Sequence, residues 1–151
     1  MKVGDHVEDF ALPDETGTER SLKELLTNGP VVLFFYPAAM TYGCTKESCH
    51  FRDLKAEFEE VGAQRVGISA DSVDKQHQFS EKHAFDYPLL SDTDKTVATM
   101  FGAKRGWGPN KRTTFVIDTD QTVLAVIASE ISMAKHADKA LEVLRDRANN
   151  D

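Results

Sequence analysis

Cysteine is scarce in this chain: only Cys44 and Cys49 are present, so no framework of disulfides holds the fold together. In a reducing compartment two such thiols are either inert or reactive, and that choice decides the function. Long apolar runs are also missing. The longest, residues 31–36, falls far short of the ~18–20 residues needed to cross a bilayer and suits a buried strand. The N-terminal stretch carries acids where a secretory leader has an apolar core, so the cytoplasm is the expected location and no membrane is involved. Positive charge is in deficit, with 18 Lys and Arg against 25 Asp and Glu and a formal net charge of −7. That balance argues against nucleic-acid partners, which rely on clustered positive charge, and suits a small substrate. No repeat, low-complexity tract or linker divides the 151 residues, which fit a single domain over 1–151.

What is present reads as short elements punctuated by Gly, Pro and Asp. A hairpin is expected around residues 14–17, followed by a short helix over 22–26, where Ser21 and Glu24 have capping-box spacing. Residues 31–36 form the first strand, and Pro37 ends it. Phe51, Leu54, Phe58 and Val61 recur at helical spacing, which predicts one helix over about 43–61, stopped by Gly62. Strand 65–70, a helix from a cap at 71–74 to about 84, an edge strand at 87–90 and a helix at 96–101 follow. A Gly- and Lys/Arg-rich loop over 102–111 leads to a hairpin of 113–117 and 123–128, and a helix over 134–147 closes the chain. Parallel pairs first and an antiparallel pair last give an α/β chain with a central mixed sheet flanked by helices. A thioredoxin-like fold satisfies this order.

The informative stretch is F-Y-P-A-A-M-T-Y-G-C-T-K-E-S-C-H-F-R-D, residues 35–53. It places Cys44 where a buried strand passes through a loop into a helix. A helix N-terminus offers unpaired N–H groups and about half a positive charge, and both stabilise a thiolate, the nucleophilic form. From position alone, a buried structural cysteine is as good a reading as a reactive one. Thr41 stands where its hydroxyl either caps the helix or bonds a ligand at the sulfur. Cys44 and Phe51 share a helix face to within about 20°, which turns Cys44 toward the core. Cys49 lies about 140° around the same helix, so an intact helix keeps the two sulfurs apart. Either Cys49 is unrelated, or the first turns unwind during a reaction cycle.

These residues resemble the peroxiredoxin family, of the peroxiredoxin Q or bacterioferritin comigratory protein type. Pro37, Thr41 and Cys44 match the family's P-x-x-x-T-x-x-C motif; G-C-T-K-E-S-C (43–49) matches the subfamily pattern with a second cysteine; R-T-T-F-V-I-D (112–118) matches the strand that carries the active-site arginine. The resemblance runs from about Gly4 to the final helix. It implies a thiol peroxidase that reduces hydrogen peroxide and organic hydroperoxides. Cys44 is then the peroxidatic cysteine, oxidised to a sulfenic acid. Thr41 hydrogen-bonds the peroxide, Pro37 shields the sulfur from water, and Arg112 stabilises the thiolate and the polarised O–O bond. Cys49 resolves the sulfenic acid as an intramolecular disulfide, and thioredoxin is the usual reductant. Members of this type are often monomers, so a monomer or weak homodimer is expected; no cofactor is expected, and no metal, since no histidine has zinc-ligand spacing. One departure stands out: Tyr42 occupies the position where the family commonly has proline, which removes a rigid φ restraint where the helix begins.

Other residues carry weaker readings. Glu47, one turn after Cys44, has the spacing either to orient an arginine or to sit solvated on the surface. His6, His50, His77, His83 and His136 have no zinc-ligand spacing and are expected on the surface. Lys104, Arg105, Lys111 and Arg112 form the one basic cluster, either a solvated loop or a field that favours the Cys44 thiolate. The runner-up enzyme, a thiol–disulfide oxidoreductase, is disfavoured by the four residues between the cysteines, because such enzymes use C-x-x-C. A redox-sensing binding module would keep the thiol but have no need of Thr41 and Arg112.

Overall fold

The structure, a computed structural model, describes residues 1–149. Asp14 opens the first turn. Its Oδ1 accepts the N–H groups of Thr16 (2.9 Å) and Thr18 (3.1 Å), which folds β1 (Ala11–Pro13) onto β2 (Glu19–Ser21). Ser21 then caps α1 (Leu22–Leu26), its Oγ accepting the Glu24 N–H at 3.1 Å.

The main sheet has five strands in the order β5-β4-β3-β6-β7. Its centre is β3 (Val31–Phe35), paired in parallel with β4 (Gln64–Ser69) and antiparallel with β6 (Thr113–Ile117). β5 (Leu89–Ser91) forms one edge beside β4, and β7 (Val123–Ala128) forms the other beside β6. Every β3 residue is buried, because the strand is flanked on both sides and covered on both faces. Val31, Leu33 and Phe35 face one core with α1 and α5 (Thr96–Phe101). Val32, Phe34 and Tyr36 face the other, beneath α2 (Tyr42–Asp53), α3 (Lys55–Glu60), α4 (Val73–His83) and α6 (Met133–Asn149). The thioredoxin-like α/β expectation therefore holds. The edge strand starts at Leu89, just after Pro88, whose carbonyl accepts the Gly67 N–H at 3.1 Å and which, having no N–H, is tolerated beside an edge strand.

One expectation fails. Residues 43–61 do not form a single helix: the backbone breaks at Leu54 (φ −94°, ψ 21°), separating α2 from α3. The cause lies across the fold. Arg65 on β4 is buried, and its Nη1 donates to the carbonyls of Phe51 (2.8 Å) and Arg52 (3.5 Å). In an unbroken helix those carbonyls would bond the N–H groups four residues on. Asp86 fixes the guanidinium from the other side at 2.6 Å.

Candidate active site

The register of the sheet decides which loops meet. Phe35 at the end of β3 pairs with Thr113 at the start of β6. Residue 36 and residue 112 are therefore neighbours on the same rim, one leading into the loop 37–41 and the other presenting its side chain there. The loop is pinned from below. The Ala39 N–H donates to Asp71 Oδ2 at 2.7 Å, and Ser69 Oγ donates to the same oxygen at 2.6 Å. Gln76 joins this network, donating to Ser69 Oγ at 2.9 Å and accepting the Tyr36 hydroxyl at 2.5 Å.

Thr41 is the N-cap residue of α2, but its side chain does not cap. The hydroxyl donates instead to the Ala38 carbonyl at 2.7 Å, within the loop. This corrects one of the two readings of Thr41, and leaves the first-turn N–H groups without a side-chain partner. Pro37 is half-buried in the same loop. Tyr42, where a proline is common, begins the helix and is 85% exposed.

Cys44 is 1% exposed and packs on the core side with Phe51. Arg112, also buried, donates through Nη2 to Cys44 Sγ at 3.4 Å and through Nη1 to Glu47 Oε1 at 2.8 Å. Gly43 makes room for this approach: a Cβ there would stand 3.2 Å from Arg112 Nη2. Burial works against the arginine's charge, yet Glu47 and Cys44 outweigh it and raise its pKa above the usual value. Burial pushes the Glu47 carboxyl up to about 8 against the opposing pull of Arg112. Glu47 Oε2 is buried and makes no hydrogen bond with the described residues. Of the two readings of Glu47, the surface acid is excluded.

His136 corrects a further expectation. It is fully buried, not on the surface. Its Nε2 lies 2.8 Å from the Ser129 carbonyl, its Nδ1 lies 2.8 Å from Thr114 Oγ1, and Nδ1 stands 3.6 Å from Glu47 Oε2. Its neighbours Ala137, Ala140, Leu141 and Leu144 are all buried, so its place beside the apolar stripe of α6 was the signal in the sequence. Asp71, which pins the loop through the Ala39 amide, had no such signal.

The basic cluster divides. Lys104, Arg105 and Lys111 are exposed, and only Arg112 turns inward. Arg105 and the Arg112 amide share Glu130 Oε1, at 2.8 and 2.9 Å. Cys49 is not brought to Cys44. It is half-buried in a groove of about 300 Å3 with Lys46, His50, Asp53 and Ala134, and burial pushes its thiol pKa up. Among the described residues no His, Cys, Asp and Glu cluster is arranged to hold a metal ion, and no helix is long and apolar enough to cross a membrane.

Comparison with known proteins identifies the family. Residues 3–126 match the AhpC/TSA family. A putative peroxiredoxin of Mycobacterium tuberculosis is 67% identical over 149 residues, covering 96% of this chain and 97% of the relative. Peroxiredoxin Bcp of Escherichia coli is 34% identical, with 98% of each chain covered. Among solved structures, peroxidoxin BcpB from Mycobacterium tuberculosis superposes with a TM-score of 0.95 at 67% identity, covering 97% of each chain. A Xylella fastidiosa PrxQ mutant follows the same fold with a TM-score of 0.90 at 28% identity, covering 98% of each chain. A buried thiol set against an arginine at the start of a helix, on a fold shared end to end with these proteins, places this chain in the AhpC/TSA family as a peroxiredoxin, an oxidoreductase that reduces peroxides through a thiol.

Proposed function

We propose that Cys44 is the peroxidatic cysteine and Cys49 the resolving one, in a cycle closed by thioredoxin or a similar dithiol. The observation that carries this reading is the contact of Arg112 Nη2 with Cys44 Sγ at 3.4 Å in a buried site. The cationic donor stabilises the thiolate and stands beside the place where an O–O bond would break. The thiolate attacks one peroxide oxygen; the O–O bond breaks, Cys44 becomes a sulfenic acid, and the second oxygen leaves as an alcohol or water after taking a proton. Thr41 spends its own proton on Ala38, so its oxygen is left as an acceptor for the peroxide O–H. Pro37 limits water at the sulfur. The Cys49 thiol then displaces the hydroxyl of the sulfenic acid, giving a disulfide and water. A dithiol reductant returns both thiols. Hydrogen peroxide and organic hydroperoxides are the substrates. A Xanthomonas campestris bacterioferritin comigratory protein, a structural relative at 30% identity, has been described for alkyl peroxide reduction. The exposed Met40 and Tyr42 next to Thr41 would give an organic substituent apolar contact.

The assay is peroxide-dependent NADPH oxidation coupled through thioredoxin reductase and thioredoxin. The wild type turns over and Cys44→Ser does not, because a serine hydroxyl stays protonated and unreactive at neutral pH. Turnover near wild type in the serine variant would remove Cys44 from the chemistry.

A further inference from the structure

Arg112 faces two acidic groups in one buried site, Cys44 and Glu47. If both were ionised, one buried cation would be divided between two buried anions. The identity of the group facing Glu47 from the other side decides how this is resolved. His136 Nε2 lies 2.8 Å from the Ser129 carbonyl, and a carbonyl only accepts, so Nε2 carries the proton. Burial and the nearby Arg112 and Lys135 disfavour the imidazolium, outweighing the Ser129 bond and Glu130, so Nδ1 is a lone pair that accepts the Thr114 hydroxyl. The atom that stands 3.6 Å from the unpartnered Glu47 Oε2 is therefore an acceptor. An acceptor facing a carboxyl oxygen that has no other partner favours a proton on that oxygen.

We propose that His136 is a positioning residue that keeps the proton on Glu47, so that Arg112 directs its charge to the Cys44 sulfur. This rests on the reading of Cys44 as the reacting thiol. The groups that face Glu47 are accounted for: Arg112 just before β6, His136 on α6 and Glu130 in the turn before α6, while Cys44, on the same helix as Glu47, shares Arg112 with it. Glu130 raises the cost of a second negative charge there, and so acts in the same direction as His136. The arrangement forms a relay from α6 to the sulfur, from His136 through Glu47 and Arg112 to Cys44.

The test reads the proton directly. Infrared difference spectra of the reduced full chain should show the C=O band of a protonated carboxyl at neutral pH, and the band should vanish in Glu47→Gln. His136→Asn offers an amide whose oxygen takes the Thr114 hydroxyl and whose N–H faces Glu47. The band should then titrate lower by about one pH unit, a tenfold change in proton affinity. The pH profile of Cys44 alkylation by iodoacetamide should move to higher pH in the same variant, because an ionised Glu47 competes for Arg112. Thr114→Val frees Nδ1 for Glu47 and should move the band the opposite way, which loss of packing alone would not do; it also stands as the test if His136→Asn fails to fold. A wild type without the band at neutral pH, or a band that neither variant moves, would overturn the proposal. Peroxide reactivity is scored separately. If Cys44 fails to consume peroxide, the function reading falls whatever the band does; if Cys44 reacts and the band is unmoved, only the role of His136 falls.

Discussion

At the scale of single residues, the site depends on one arginine held from two sides. Arg112 reaches Cys44 because Glu47 takes its other terminal nitrogen at 2.8 Å, and because Gly43 offers no Cβ in the way. Arg112→Ala removes the donor and the charge. Oxidation of Cys44 should slow by about 10²–10³, or ~2.7–4 kcal/mol, if the loss resembles that of an oxyanion donor. Gly43→Ala should slow it less, since a Cβ 3.2 Å from Nη2 shifts the guanidinium slightly and does not remove it. Stopped-flow peroxide kinetics on both variants checks the order, and equal rates in wild type and Arg112→Ala would exclude the arginine from the step.

At the scale of an element, α2 carries both cysteines and has to open for them to meet. They stand about 140° apart around it, whereas a disulfide needs Cα atoms within ~7 Å and facing side chains. The first turn is loosely held, with no side-chain cap and no acid. The far end is anchored beyond residue 50, where Arg65 holds the Phe51 carbonyl at 2.8 Å, while opening of the helix through residue 50 gives up the bond from the Tyr87 hydroxyl to the Ser48 carbonyl at 2.7 Å. The break at Leu54 keeps any unwinding out of α3. Hydrogen exchange should therefore speed up across residues 42–50 on oxidation while β3 is unchanged; full protection there in the oxidised form would argue for a disulfide between chains. Cys49→Ser should still form the sulfenic acid but show no two-hydrogen loss in intact mass. Glu47 adds a dependence on pH. Its pKa is pushed up to about 8 in the wound helix, against an ordinary 4.5 when solvated. An acid raised on folding stabilises the wound form fully below 4.5, and this contribution is lost as pH rises through about 8. Protection of residues 42–50 in the reduced chain, corrected for intrinsic exchange, should fall from about pH 6 to pH 8, and Glu47→Gln should flatten the trend.

At the scale of the whole molecule, the site is held by a sheet that is buried on both faces. Phe34 on β3 stacks on Phe51 at 4.1 Å between centroids, and Phe51 lies 5.8 Å from Phe58, so an aromatic column joins the central strand to α2 and α3. Phe58 is fully buried and remote from the sulfur's polar contacts. Phe58→Ala should cost ~3–5 kcal/mol in urea unfolding through the cavity it leaves. The rate of Cys44 oxidation should be unaffected while the chain is folded, because the register of β3 and β6 brings Cys44 and Arg112 together. A slowed reaction in the folded variant would mean that α3 packing also sets the site.

The order of strands and helices followed from local rules that the chain obeys on its own: a period of two or 3.6, a serine cap at Ser21, and Pro37 closing β3. Pro37, Thr41, Cys44 and Arg112 stood out as candidates in the sequence because they fall in short motifs with fixed spacing. Three features depended on contacts distant in sequence, which no local pattern encodes. Arg65 breaks the helix at Leu54 by drawing carbonyls from another element. The loop in which Thr41 gives its proton to Ala38 is held at the Ala39 amide by Asp71, 32 residues away from Ala39. Glu47 and His136 are buried together because α2 and α6 pack on one face of the sheet, 89 residues apart in the chain. The sequence determined which groups are available and in what order they occur. Which of them lie in the buried interior, and so which charge Arg112 serves, only the packing of the sheet and helices decided, since burial is set by neighbours that meet only after folding.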